Sequence, residues 1–154
     1  MAEFLLNRQM ALPVPRAKVF EFFADAGNLE KITPPELGFH IITPQPMHLA
    51  EGSIIEYILK LRGFPIRWRT LISQWDPPYQ FIDEQLKGPY KQWMHRHLFA
   101  ELENGETSIE DIVHYRLPLE PLGDTLHFMV RGELDRIFDY REKAVREILT
   151  SNLA

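Results

Sequence analysis

Apolar and polar residues alternate along the first three quarters of this chain, then give way to apolar positions three and four residues apart. The alternating part predicts strands near 3–12, 39–46, 53–62, 65–75, 79–87, 92–103 and 106–118, bounded by Gly63, Asp76-Pro77-Pro78, Gly88-Pro89 and Asn104-Gly105. Between the first two strands, Pro15 suits the opening turn of a short helix with Val19, Phe20 and Phe23 on one side. A second helical piece runs from Asn28 to Ile32 and stops at Thr33-Pro34-Pro35. From Leu122 onward, Leu126, Met129, Val130, Leu134, Ile137, Phe138, Val145, Ile148 and Leu149 form the stripe of one long amphipathic helix. Asp139 with Lys143 and Glu142 with Arg146 have the four-residue spacing of helix-supporting ion pairs. Gly132 within this helix implies close packing or a bend.

Proline placement supports the division. All twelve prolines lie at or before Pro121, so the strands are punctuated and the terminal helix is uninterrupted. Strands joined by hairpin-length connections pair antiparallel, and a long amphipathic helix after them must bury its stripe on one sheet face. The expected fold is α+β: a curved seven-stranded antiparallel sheet wrapped round a long C-terminal helix, with two short helices between strands 1 and 2. Residues 1–154 are expected to form one domain, since the length is close to that of a typical single core.

Composition narrows the function. The absence of cysteine excludes disulfide scaffolds, thiol nucleophiles and cysteine zinc sites, and fits a reducing compartment. A formal charge of -5 with no block of like charges argues against nucleic acid as a partner. The N-terminus lacks a basic segment followed by an apolar one, and no apolar run approaches ~18 residues, so a cytoplasmic chain with no membrane span is expected. The glycines are scattered singly, which disfavours nucleotide cofactors, and no serine lies in a Gly-x-Ser-x-Gly elbow. No cofactor is expected.

Several motifs carry a resemblance. Asn28-Leu29-Glu30-Lys31-Ile32-Thr33-Pro34-Pro35 is followed by Phe81-x-Asp83-x-Gln85 leading to Gly88-Pro89-Tyr90, then Trp93-x-His95-x-His97-x-Phe99, Asp111, Tyr115, Pro118 and Phe138-x-Tyr140-Arg141. Together they resemble the SRPBCC proteins of the START-like, polyketide cyclase/dehydrase superfamily, over residues 4 to 149. The resemblance implies the helix-grip fold and a cavity between sheet and long helix for sterols, lipids, polyketides, hormones or other hydrophobic molecules. Its subgroup is mostly described as ligand-binding, with some members labelled cell-division-inhibitor-like. The fold alone does not choose among these roles.

The strand patterns say what such a cavity would contain. In 107–117 the odd positions Ile109, Val113, Tyr115 and Leu117 are apolar, so the odd face points inward and carries Asp111 with it. A two-residue loop at Asn104-Gly105 would set odd positions beside even ones; a three-residue loop or a bulge would join the odd faces. The second arrangement is expected, because it brings Trp93 and Phe99 inside together with His95 and His97. Phe81, Asp83 and Gln85 follow beside them. The expected wall is Phe81, Trp93, Phe99, Tyr115, Met129 and Phe138, with Asp83, Gln85, His95, His97 and Asp111 as polar members. Tyr57, Leu59 and Leu61, and Ile66, Trp68, Thr70 and Ile72, read as core or cavity lining; Arg67 and Arg69 lie on the opposite, solvent-facing side.

Three functions remain open. The polar set can orient an amphipathic ligand in a binding protein. His95 or His97 with Asp83 or Asp111 can serve as acid and base in a cyclase, dehydratase or hydrolase-like enzyme. Side chains can also fill the space, leaving the surface to bind a protein partner. A structural network within the sheet accounts for the same polar residues. Two histidines with Asp83 or Asp111 supply three ligands suited to zinc or iron, but such spacing is common by chance on strands, and no metal is expected.

Overall fold

The computed structural model describes residues 2–61, 63–119 and 122–151. Strand β1 (Phe4–Leu12) leads into helices α1 (Arg16–Ala24) and α2 (Asn28–Lys31) and a 3-10 turn at Pro35–Leu37. Six strands follow: β2 (His40–Ile41), β3 (Ile54–Leu61), β4 (Phe64–Asp76), β5 (Gln80–Lys87), β6 (Gln92–Glu101) and β7 (Thr107–Arg116). A 3-10 turn at Gly123–Leu126 then feeds α3 (His127–Thr150), which is 24 residues long. The order across the sheet is β1-β7-β6-β5-β4-β3-β2, with antiparallel pairing throughout. The expected α+β helix-grip architecture is therefore present. Strand β2 is much shorter than the 39–46 segment, whose prolines, Pro44 and Pro46, withdraw backbone donors.

The β6–β7 hairpin adopts the register that joins the odd faces. Trp93 lies opposite Tyr115, His95 opposite Val113, His97 opposite Asp111 and Phe99 opposite Ile109. The Leu102 N–H donates to the Glu106 carbonyl (2.8 Å) and the Gly105 N–H to the Leu102 carbonyl (3.0 Å), giving a three-residue loop. Gly105 occupies the left-handed region there, with φ 82°. Strand β5 continues the pattern, with Phe81 opposite His97 and Asp83 opposite His95. Register shifts between β4 and β5, at Arg69/Thr70 and Ile72/Gln74, add the local twist that bends the sheet.

Helix α3 presents Val130, Leu134, Ile137, Phe138 and Val145 to the sheet. It is fixed to β1 by side chains as well. Arg8 contacts Asp139 and Glu142, while Arg131 and Arg146 donate to the carbonyls of Leu5 (2.9 Å) and Ala11 (3.0 Å). The two helix carboxylates thus meet a strand arginine, although their spacing pointed to Lys143 and Arg146; a contact 131 residues distant in sequence is invisible to a four-residue rule. At Gly132 an added Cβ would meet nothing within 4 Å, so close packing does not explain that glycine.

Candidate functional site

A cavity of about 410 Å³ lies between the sheet and α3. Its walls are Tyr57, Leu59 and Leu61 of β3, Trp68, Thr70 and Ile72 of β4, Phe81 and Asp83 of β5, and Trp93, His95 and His97 of β6. Helix α3 adds Val130, Leu134, Ile137, Phe138 and Arg141 from above. Period-two alternation on the strands and the three- and four-residue step on α3 aim these side chains at one space. The turn after β5 contributes Pro89 and Tyr90.

Of the fourteen sequence-predicted site residues, nine reach this cavity: Tyr57, Trp68, Thr70, Phe81, Asp83, Trp93, His95, His97 and Phe138. The other five lie elsewhere. Met129 is 38% exposed and turns away, because its position on α3 falls outside the stripe of Val130, Leu134 and Ile137. Phe99 is core rather than wall, packed on Phe20 (5.2 Å between ring centroids) and Phe23 (5.5 Å). Tyr115 is fully buried among Phe4, Tyr90 and Trp93, and its hydroxyl hydrogen-bonds His127 Nε2 at 2.6 Å. Asp111 sits behind the wall, against His95. Gln85 donates to the Tyr90 carbonyl (2.7 Å) and accepts from the Tyr90 N–H (3.2 Å), holding the turn that places Tyr90 at the cavity. A Cβ on Gly88 would stand 2.5 Å from Gln85 Oε1, so this clamp requires glycine there.

One lining side chain stood in the resemblance motif but not among the expected cavity residues. Arg141 lines the cavity, with its guanidinium 3.4 Å from His97 Nδ1 and 3.8 Å from Asp111 Oδ1, and its carbon over the rings of Phe23 and Phe138. A signal existed. The apolar stripe jumps two turns from Phe138 to Val145, and the inward position between them is an arginine.

Arg141 completes a compact polar cluster. His97 Nε2 is 2.5 Å from Asp83 Oδ2 and His95 Nε2 is 2.8 Å from Asp111 Oδ1, while His95 Nδ1 lies 3.7 Å from Asp83 Oδ2. The imidazoles stack at 3.6 Å, and Phe81 covers the outer face of His97 at 4.0 Å. Burial and the adjacent His95 push His97 down to about 4 from 6.5, against the pull of Asp83 and Asp111. A neutral His97 then donates from Nε2 to Asp83 and offers Nδ1 to the Arg141 N–H, so its partners fix the tautomer. Burial alone would raise both carboxyls. Instead Arg141, then His95 and His97, hold Asp111 well below the ordinary carboxylate range, and His95, His97 and Arg141 lower Asp83.

Asp83, His95 and His97 also bring three potential metal-ligand atoms within 4.8 Å of one another. The fit to a cation is poor. The Asp83 and His97 atoms are already bonded to each other, and the Arg141 cation contacts the same imidazole.

A different polar atom is unsatisfied. Trp68 lines the cavity and is 8% exposed, yet its Nε1 finds no hydrogen-bond partner among the described residues. A buried donor left this way costs about 1–3 kcal/mol.

No protein-family profile and no curated protein sequence matches the chain. Solved structures do. An aromatase/cyclase, Zhui, from a Streptomyces species superposes with a TM-score of 0.80 at 14% identity, covering 99% of this chain and 97% of that one. A START superfamily protein from Mycobacterium smegmatis gives 0.72 at 12% identity, over 96% and 97%. A major latex-like protein from Panax ginseng gives 0.67 at 12% identity, over the same shares, 96% and 97%. The chain shares the SRPBCC/START-like fold of these structures. Among the described residues no helix is long and apolar enough to cross a membrane.

Proposed function

We propose that this chain is a cytoplasmic binding protein for a hydrophobic or amphipathic small molecule, of the lipid, polyketide or aromatic-metabolite kind, held in the sheet–helix cavity. The observation that carries the reading is a hollow of about 410 Å³, walled by apolar and aromatic side chains, with a hydrogen-bonded polar cluster among its walls. A space of this size suits a small ligand and argues against a cavity filled by its own side chains. Removing roughly 200 Å² of ligand apolar surface from water contributes about 5 kcal/mol, most of it retained when the walls are preformed. Both imidazole contacts of Asp83 use Oδ2, which leaves Oδ1 to accept from a ligand hydroxyl.

Acid–base catalysis is the weaker reading. A general base works best with a pKa near the working pH, whereas His97 is pushed down to about 4 and both of its ring nitrogens are engaged. Titration with Prodan, a neutral naphthalene dye, tests the proposal. One dye per chain is expected to bind saturably, and Val130→Trp, which fills the hollow from α3, is expected to abolish binding while the chain stays folded. Dye binding that is absent, or indifferent to the filling substitution, overturns the proposal. Native mass spectrometry of the chain purified from its own host is then expected to reveal a bound neutral molecule.

A further inference from the structure

Exposed apolar groups and charge are unevenly placed between the two ends of the sheet. The cavity opens at the end away from α1, where the lining residues Leu61, Pro89, Tyr90, Pro118 and Val130 reach solvent; Ile55, Ile72 and Phe81, toward α1, are buried. Strand register sets the β3–β4 hairpin (Leu61 opposite Phe64) and the meeting of β6 with β7 (Gln92 opposite Arg116) at this end. Met129 of α3 joins the hairpin across a cleft shared with Lys60 and Gly63. The connection from β7 to α3 contributes Leu117, Pro118 and Val130 to the cavity and also carries Leu119, Leu122 and Phe128. Those last three and Phe64 of the hairpin are 71–81% exposed. Single exposed apolar side chains are ordinary, but four this large beside one opening mark an interaction surface.

Charge indicates what covers this surface. Segments 60–69 and 87–91, at the mouth, contain six lysines and arginines and no acid, whereas segments 76–80 and 101–106, at the α1 end, contain four acids and no cation. Lys60, Arg67 and Lys87 are exposed, and Glu56 is shared by Arg67 and Arg69, so one of those two charges stays uncompensated. Glu36 and Glu133 both contact Arg136, and among the described residues of the connection Asp124 is the only acid. We infer that the mouth docks on an anionic lipid membrane, with Phe64, Leu119, Leu122 and Phe128 entering the headgroup layer and Lys60, Arg67 and Lys87 meeting the lipid anions. Apolar side chains on separate loops beside an opening suit a fluid interface, which closes round each of them. A second copy meeting this end across a two-fold axis would set lysine against lysine. The formal charge of -5 on the whole chain keeps its other faces off such a membrane, so docking is oriented. Docking there is independent of what the cavity holds.

Flotation of the whole chain with vesicles tests this, comparing phosphatidylcholine alone with an equimolar mixture of phosphatidylcholine and phosphatidylserine. Binding to the mixed vesicles is expected to be at least about tenfold tighter and to weaken at high salt. Phe64→Ser combined with Leu122→Ser is expected to weaken it more than about tenfold, since two large apolar groups no longer leave water. Lys60→Gln combined with Lys87→Gln is expected to weaken it roughly tenfold on the mixed vesicles and less than about twofold on phosphatidylcholine. Tyr79→Ser, which removes an exposed ring at the α1 end, is expected to change neither. Circular dichroism and Prodan titration without vesicles are expected to match the wild-type chain in every variant, since none of the substituted side chains lines the cavity. Absence of flotation, equal binding to the two vesicle types, or an equal loss in Tyr79→Ser overturns the inference and leaves the binding proposal to its own dye test. A dimer in light scattering that Phe64→Ser splits, in a chain that vesicles do not retain, also overturns it and assigns the surface to a second copy.

Discussion

The concave side of the sheet has two ends with similar chemistry and opposite outcomes. At one end Phe20 of α1 meets Trp75 (4.9 Å), Phe99 (5.2 Å) and Phe81 (6.0 Å), and the aromatic rings fill the space. At the other, Tyr57, Trp68, Tyr90 and Trp93 contact one another just as closely but border the hollow. The difference is α1. Its Val19, Phe20, Phe22 and Phe23 plug the first end, and among the described residues no comparable wedge enters the second. Phe23 of the plug and Phe81, which packs on Phe20, mark the border, since both also line the cavity. An inward aromatic therefore becomes core or binding wall according to what covers it, and its energetic role changes with it.

The largest expected effect breaks the packed end. Phe20→Ala should cost about 3–5 kcal/mol in urea unfolding, because a buried ring leaves a void among rings that cannot collapse onto it. At the hollow end, Tyr90→Leu should cost less than about 1.5 kcal/mol and weaken Prodan severalfold, since one side of that ring already faces empty space. Equal stability losses at the two sites would erase the distinction.

Next comes the polar cluster between the ends. Asp111→Asn should cost about 3 kcal/mol, as it leaves Arg141 and His95 buried without their carboxylate. The same cluster sets the response to acid. His97 is depressed from 6.5 to about 4, so below pH ~6.5 the unfolded chain takes up a proton that the folded chain refuses. Its contribution is complete above about pH 6.5 and is lost as pH falls toward about 4, roughly 3 kcal/mol in all. The lowered Asp83 and Asp111 extend that loss below their ordinary carboxylate values. Urea unfolding across this range should show a steep wild-type decline that flattens in His97→Gln; parallel slopes would remove His97 from the account.

The smallest effect sharpens the comparison from the helix side. Gly132→Ala places a methyl in open space on α3, and should stabilise the chain by up to about 1 kcal/mol without changing Prodan affinity. Thermal unfolding and a dye titration on the same sample check both halves.

Local pattern determined a good deal here. Period-two alternation set the strand faces, so the inward placement of Trp93, His95, His97, Phe81 and Asp83 followed from sequence and from the Asn104-Gly105 loop. The proline-free stretch and its three- and four-residue step gave α3 and put Phe138 on the inner side. What pattern cannot supply is depth. Phe99, Tyr115 and Asp111 share a face with cavity residues but lie under or behind neighbours whose positions depend on contacts far away in sequence, above all α1 folding back over β6. The same limit hid Arg141, which reads as a surface cation on a helix until the sheet supplies Asp111 and His97 beneath it. It also concealed that the Trp68 indole N–H has no partner among the described residues, because whether a donor is satisfied depends on every atom around it, and those atoms are assembled only by the tertiary structure.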